Sequence, residues 1–244
     1  MRNHGIIAAV LLSGVVGGIG CGLGQKPKQA QDTEDTEVTG ELQNEAPIRA
    51  ISTYLDAFHF YNGDLEEQVE AHHYVTILDP DRMQALIYDG NSENARLIGV
   101  EYIISARLFD QLPAEEKKLW HSHLYEVKSG QLIAPGLAEA AERELMTELV
   151  STYGKTWHTW HTHRHGDVPM GIPALMMSFT DDGQIDPTLL STRDQRFGVD
   201  SAKIAASRAD IPEPDLDPLA DIWEEGEVIQ LRREVVADEV VEDE

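Results

Sequence analysis

Leu97-Ile98-Gly99-Val100-Glu101-Tyr102-Ile103-Ile104-Ser105 is the stretch on which the fold turns. It is apolar enough for a central strand, yet Glu101 sits in its middle, and a carboxylate there is costly unless it is paired or bound to a metal. Upstream, His73–Leu78 is rich in β-formers, Asp79-Pro80-Asp81 is a turn, and Met83–Tyr88 runs apolar. Asp89-Gly90-Asn91-Ser92 is a second turn, leading into the central strand. Strands joined by tight turns pair antiparallel. The fold class expected is α+β: an antiparallel sheet with helices packed mainly on one side, in a single domain.

Further out the pattern changes period. Ile48, Ile51, Leu55 and Phe58 recur at three or four residues, which predicts an amphipathic helix over Pro47–Tyr61. Leu112–Glu116 opens a short helix ending near Trp120, and His121–Gln131 reads as a strand running into a turn. Leu137–Tyr153 is the clearest helix, with Gly154 as its C-cap. Thr156–His163 and Pro173–Phe179 read as strands, and Asp186–Phe197 and Ser201–Arg208 as short helices. There is no internal repeat, Gly-rich phosphate loop or G-x-S-x-G turn.

Composition narrows the function classes. The chain has 244 residues, 19 Lys plus Arg against 44 Asp plus Glu, and a formal charge of −25. Such a balance excludes a nucleic-acid partner, which needs a basic footprint, and argues against docking by charge on an anionic membrane. With 41% hydrophobic residues the chain can bury a core. Cys21 is the only cysteine, which excludes intramolecular disulfides and cysteine-based zinc clusters.

That cysteine follows an uncharged run, Gly5–Gly20, preceded by Arg2. Residues 1–20 read as a lipoprotein-type signal peptide. Gly18-Ile19-Gly20-Cys21 resembles a bacterial lipobox, although Gly18 stands where a Leu-like residue is usual. The expectation is lipidation of Cys21, a membrane partner through that anchor, and an outer-membrane lipoprotein of the bacterial envelope facing the periplasm, because Gly22 is not the retention Asp. A secreted protein is the alternative. Residues 21–46 read as an acidic flexible tether spanning roughly 25–30 Å. The folded domain is expected over 47–225, and 226–244 as an acidic C-terminal tail.

A set of ordered motifs runs through the domain. Phe58-His59 comes first, then His72-His73-Tyr74, Leu97–Ile103, Leu119-Trp120-His121-Ser122-His123 and Tyr125-Glu126. Tyr153-Gly154-Lys155, Trp157, Trp160, Gly171–Met176 and Ala220-Asp221-Ile222-Trp223 follow. Together they resemble the oil body-associated protein family over roughly residues 53–225. The resemblance implies lipid association, by analogy with plant members on seed lipid droplets. It brings no catalytic residue or cofactor with it, and bacterial members stand as a domain of unknown function.

The histidines carry the chemistry. His121 and His123, two apart on a strand, point to one face and can share a metal. His73 or His72 could supply a third ligand, but the two face opposite ways. His59, His73, His121 and His123 are the candidate ligands for one divalent ion (zinc, iron or manganese), with Glu101 as acid or base. The competing reading is a metal-free buried network in which Glu101 pairs with an imidazolium. In a second cluster, Trp157–His165, the tryptophans are expected in the core and the histidines on an exposed edge. Three functions follow: a tethered protein binding a metal or small ligand, a metal-dependent enzyme, or a lipid-associated structural protein.

Overall fold

A computed structural model describes residues 44–234. The expected signal peptide, Cys21, the expected tether up to residue 43 and residues 235–244 lie outside the described residues. The chain opens with α1 (Ala46–Arg49), β1 (Thr53–Tyr61), β2 (Asp64–Asp79), β3 (Arg82–Tyr88) and β4 (Leu97–Ser105). Three short helices and a short strand come next: α2 (Ala106–Phe109), α3 (Ala114–Lys117), β5 (His121–Ser122) and α4 (Leu124–Ser129). The remainder is α5 (Glu139–Leu149), β6 (Thr152–His158), β7 (Ala174–Met177), α6 (Pro187–Phe197) and α7 (Ser201–Ser207). No helix among the described residues is long and apolar enough to cross a membrane.

The strands pair antiparallel throughout, as expected, but the sheet does not stay open. β4 pairs with β6, so β1-β2-β3-β4-β6-β7 close into a six-stranded barrel, and β5 joins β6 beside β7. Following Cα partners from Thr53 through Val75, Ala85, Glu101, Thr156 and Met176 leads back to β1 at Tyr61, eight residues further along. Closure requires such a stagger, because tilted strands must slip in register to meet.

One end of the barrel is plugged by Val127 of α4 and Met146, Leu149 and Val150 at the end of α5, packed on Leu55, Val75 and Ile103. Against the outer face of β1 and β7 lie Leu189 and Leu190 of α6, Trp223 and Ile229, over Phe58, Phe60 and Leu175. Helices therefore cap an end and a flank of a closed barrel rather than one side of an open sheet. The chain beyond Gly226 is seated too: Gln230 donates to the carbonyls of Asn62 and Leu175.

Several local expectations change. Thr53–Tyr61 is a strand, not part of a helix: every residue from Leu55 to Tyr61 is buried. With both faces covered, three-and-four spacing of apolar residues carries no information about period. The strand expected over His121–Gln131 lasts two residues before α4, which Gly130 ends in the left-handed conformation (φ 76°). The helix expected to Tyr153 stops at Leu149, and Gly154 lies inside β6 instead of capping a helix. That strand ends at His158, and His161–His165 form a turn. The helices Asp186–Phe197 and Ser201–Arg208 are found as expected, each capped by an Asp side chain, Asp186 or Asp200.

A candidate metal centre inside the barrel

The inward face is made of small residues, Ala57, Ala71 and Ala85, and of Gly99 and Gly154, which lack any side chain. The space they leave is filled by imidazoles. His59 comes from β1, His73 from β2, Glu101 from β4 and His121 from β5, while His123 stands just before α4. All five are buried, at 0–4% exposure. Burying this many polar groups is affordable only if each is matched.

Glu101 is the hub. Its Oε2 lies 2.9 Å from His73 Nε2, and its Oε1 lies 3.1 Å from His123 Nε2 and 3.4 Å from His121 Nε2. Burial pushes the Glu101 carboxyl up, but the imidazoles of His121, His123 and His73 around it outweigh burial and hold it well below the usual carboxylate range. His59 sits against His73 and His121, with ring centroids 5.1 and 5.8 Å apart. Burial, then the charge of neighbouring histidines, keeps the His59 ring neutral, well below its ordinary value.

The outer nitrogens decide which tautomers are present. His73 Nδ1–H donates to the Ala71 carbonyl at 3.1 Å. The Thr152 hydroxyl gives its proton to the Leu149 carbonyl, so its oxygen accepts from His123 Nδ1–H at 2.7 Å. In the neutral rings both Nε2 atoms therefore carry lone pairs, and both are aimed at carboxylate oxygens. Lone pair against lone pair at 3 Å is repulsive. It becomes favourable only with positive charge between them, as protons on both rings or as a cation. His121 adds to this: buried at 0%, neither ring nitrogen has a hydrogen-bond partner among the described residues. Its 3.4 Å approach to Glu101 lies outside hydrogen-bond geometry. Two groups share Glu101, one with His59 and His73 and one with His121 and His123, the ligand atoms of each within 4.8 Å of one another; each is a nitrogen–oxygen set suited to zinc, iron or manganese.

A cavity of about 10 Å³, traced by the centre of a water-sized sphere, adjoins the cluster. That is close to the smallest space holding one water. Glu126 of α4 lines it with His59, His73, Glu101 and His123. Burial, then repulsion from Glu101 and Asp221, pushes the Glu126 carboxyl well above its ordinary value. Its Oε2 is 4.0 Å from His123 Nε2. Sequence reading did not select Glu126 as a site residue. Its signal was a carboxylate three residues past His123, which only a helical turn brings back to the site.

Other candidates separate as the strand geometry dictates. His72 faces away from His73, towards Tyr54 (2.7 Å), Asp56 (3.1 Å) and Glu70 (3.5 Å). In the second cluster the expected exposed edge holds for His163 and His165 but not for His158 and His161, which are buried at 1% and 3%. Trp157 and Trp160 are the half-buried ones. Inside β6 alternation turns His158 into the barrel and Trp157 outward, and past the end of the strand at His158 the alternation stops. His161 is held by Tyr61 Oη and the Ile172 carbonyl and does not join His121 and His123. His158 does reach the cluster, with Nε2 3.3 Å from His59 Nδ1.

The family model described as "Protein of unknown function (DUF1264)" matches residues 45–212. The chain belongs to this family. The DUF1264 match spans His59, His73, Glu101, His121, His123, Glu126 and His158. Curated relatives agree with it. Oil body-associated protein 1B of Arabidopsis thaliana is 42% identical over 211 residues, covering 86% of this chain and 87% of the relative. Oil body-associated protein 1A of Zea mays is 41% identical over 209 residues, covering 85% and 88%. No solved structure matches the DUF1264 chain.

Proposed function

We propose that this DUF1264 protein is a divalent-metal-binding protein, its ion held inside the barrel by the Glu101 carboxylate with Nε2 of His121 and His123, while His73 and His59 flank the other side of that carboxylate. The observation that carries this is the pair of outer bonds, His73 to Ala71 and His123 to Thr152. They turn two lone pairs onto a carboxylate that then needs a cation. Both Glu101 oxygens face imidazoles, so Glu101 serves as ligand and counter-charge rather than as a free acid or base. The adjoining cavity takes one water-sized group, which supports metal holding over turnover of a larger substrate. We further propose that lipidated Cys21 anchors the protein to a bacterial membrane, with the barrel on the periplasmic side of the outer membrane.

Elemental mass spectrometry on protein purified without a His tag tests the site, beside the His121→Ala/His123→Ala double variant. One equivalent of zinc, iron or manganese, lost in the variant, supports the reading. A folded wild type that takes up no divalent ion refutes it and leaves a buried hydrogen-bond network. Globomycin-sensitive labelling of Cys21 with a fatty-acid probe tests the anchor.

A second reading rests on the outer face of β2–β4. There Pro47, Ile48, Ile51, Tyr74, Leu86 and Tyr102 line an apolar groove, with Ile48 51% and Tyr102 48% exposed. The named relatives are oil body-associated proteins, and this groove is the surface suited to lipid. Flotation with neutral-lipid emulsions, comparing wild type with Ile48→Glu/Tyr102→Glu, tests it: only wild type should float.

A further inference from the structure

We propose that the cation enters the barrel through the cleft at its His158 end, passing from His158 to His59 and on to the buried ligands; this rests on the metal reading above. Two spaces flank the His59–His158 pair. On the inside is the small cavity lined by His59, His73, Glu101, His123 and Glu126. On the outside is an open cleft of about 220 Å³ by the same measure, lined by Tyr61, Glu70, Asp89, His158, Trp160 and Thr162 among others. His59 lines the first and His158 the second, and their facing nitrogens stand 3.3 Å apart. One imidazole pair thus spans the wall between solvent and the centre.

The apolar end offers a cation no comparable path. The opposite barrel end is plugged by Val127, Met146, Leu149 and Val150, which offer it no ligand. The wall from β1 through β2, β3 and β4 to β6 is hydrogen-bonded sheet. At the His158 end, two nitrogens 3.3 Å apart share at most one proton, so one of them always carries a lone pair. Each imidazole can then replace a water of hydration as the ion moves inward. Glu70 and Asp89 add carboxylates to the cleft, each also bonded to an arginine, Arg196 and Arg96. A chain charge of −25 draws cations towards such an opening.

The test is the rate of Co²⁺ uptake by metal-stripped full-length protein, followed by stopped-flow cobalt absorption. His158→Phe keeps the ring volume and removes the nitrogens. Thr162→Lys adds a positive charge to the cleft, and Glu148→Lys, on the exposed face of α5, makes a like change of sign at the other end. The expected result is loading at least about tenfold slower in His158→Phe and Thr162→Lys, with the same final equivalents, and an unchanged rate in Glu148→Lys. Wild-type rates in both cleft variants would overturn the route while leaving the site intact. A wild type that binds no Co²⁺ overturns site and route together. Should His158→Phe fail to fold by circular dichroism, Thr162→Lys decides alone.

Discussion

Gly154 lies against the Glu101 carboxylate across the β4–β6 pair, with no room for a side chain between them. A methyl group on Gly154 would stand 2.5 Å from His121 Nε2, 2.8 Å from His123 Nε2 and nearer still to Glu101 Oε1. Its backbone has no left-handed angle. Glycine is needed here for close approach, not for conformational freedom.

Gly154→Ala is therefore expected to destabilise the fold by about 1–3 kcal/mol through overpacking and to abolish metal uptake. Urea denaturation and elemental analysis measure the two effects. A variant of wild-type stability that still holds one equivalent would show that the cluster is looser than described.

Thr152 acts at one remove. Its oxygen accepts from His123 Nδ1–H and sets the tautomer that exposes Nε2. Thr152→Val keeps the shape and removes that acceptor. Metal affinity should fall by about 10–100-fold, with stoichiometry retained at high metal, as read by competition with a chromophoric chelator. Equal affinities would mean that Thr152 does not orient the ring.

Arg193 holds the flank together. It is fully buried and donates to the carbonyls of Gln131 (2.7 Å) and Gly130 (3.0 Å), to Ser201 Oγ (2.9 Å) and to Asp56 (3.2 Å). Burial, then Glu70, pushes the Asp56 carboxyl up to about 8, so Arg193→Ala chiefly leaves buried acceptors (Asp56 and the Gly130 and Gln131 carbonyls) without their donor, and a loss of about 3–5 kcal/mol is expected. A change below about 1 kcal/mol in chemical denaturation would show that these acceptors find other donors once the guanidinium is gone.

Buried titrating groups pull stability in opposite directions with pH. Burial first, then neighbouring histidine charge, pushes the His158 ring down to about 3 from 6.5. Its native form binds fewer protons than the unfolded chain, so its contribution is full above pH 6.5 and lost as pH falls towards 3. Asp221 runs the other way. Burial pushes its carboxyl up to about 7 from 3.8, so stability is lost as pH rises through that window. Thermal melts in chelator should show wild type losing ground to His158→Phe on acidification. It should lose ground to Asp221→Asn as pH rises towards 7. A pH-independent difference in either comparison would contradict the burial of that group.

Much of the candidate site was legible before any coordinates. A carboxylate inside Leu97–Ser105 needs partners, and His59, His73, His121 and His123 were the residues able to supply them; His73, His121 and His123 meet at Glu101, and His59 packs on His73 and His121. Two things hid the rest. Glu126 looked remote from the cluster because His121–Gln131 reads as a strand, and only the turn into α4 brings it back. His158 was grouped with its histidine neighbours, since nothing in the residues marks where β6 ends.

The amino-acid sequence alone determined the family, the antiparallel pairing of hairpin-linked strands and the identity of the residues around Glu101. Those features depend on residue type and on short-range alternation, which the chain carries locally. Closure of the barrel was a tertiary decision. It rests on Glu101 meeting Thr156 and Tyr61 meeting Met176, contacts between distant segments that no local period encodes. The helix read into Thr53–Tyr61 failed for the same reason. Once the barrel interior covers one face of β1 and α6 the other, every residue from Leu55 to Tyr61 is buried, and burial rather than spacing selects the strand.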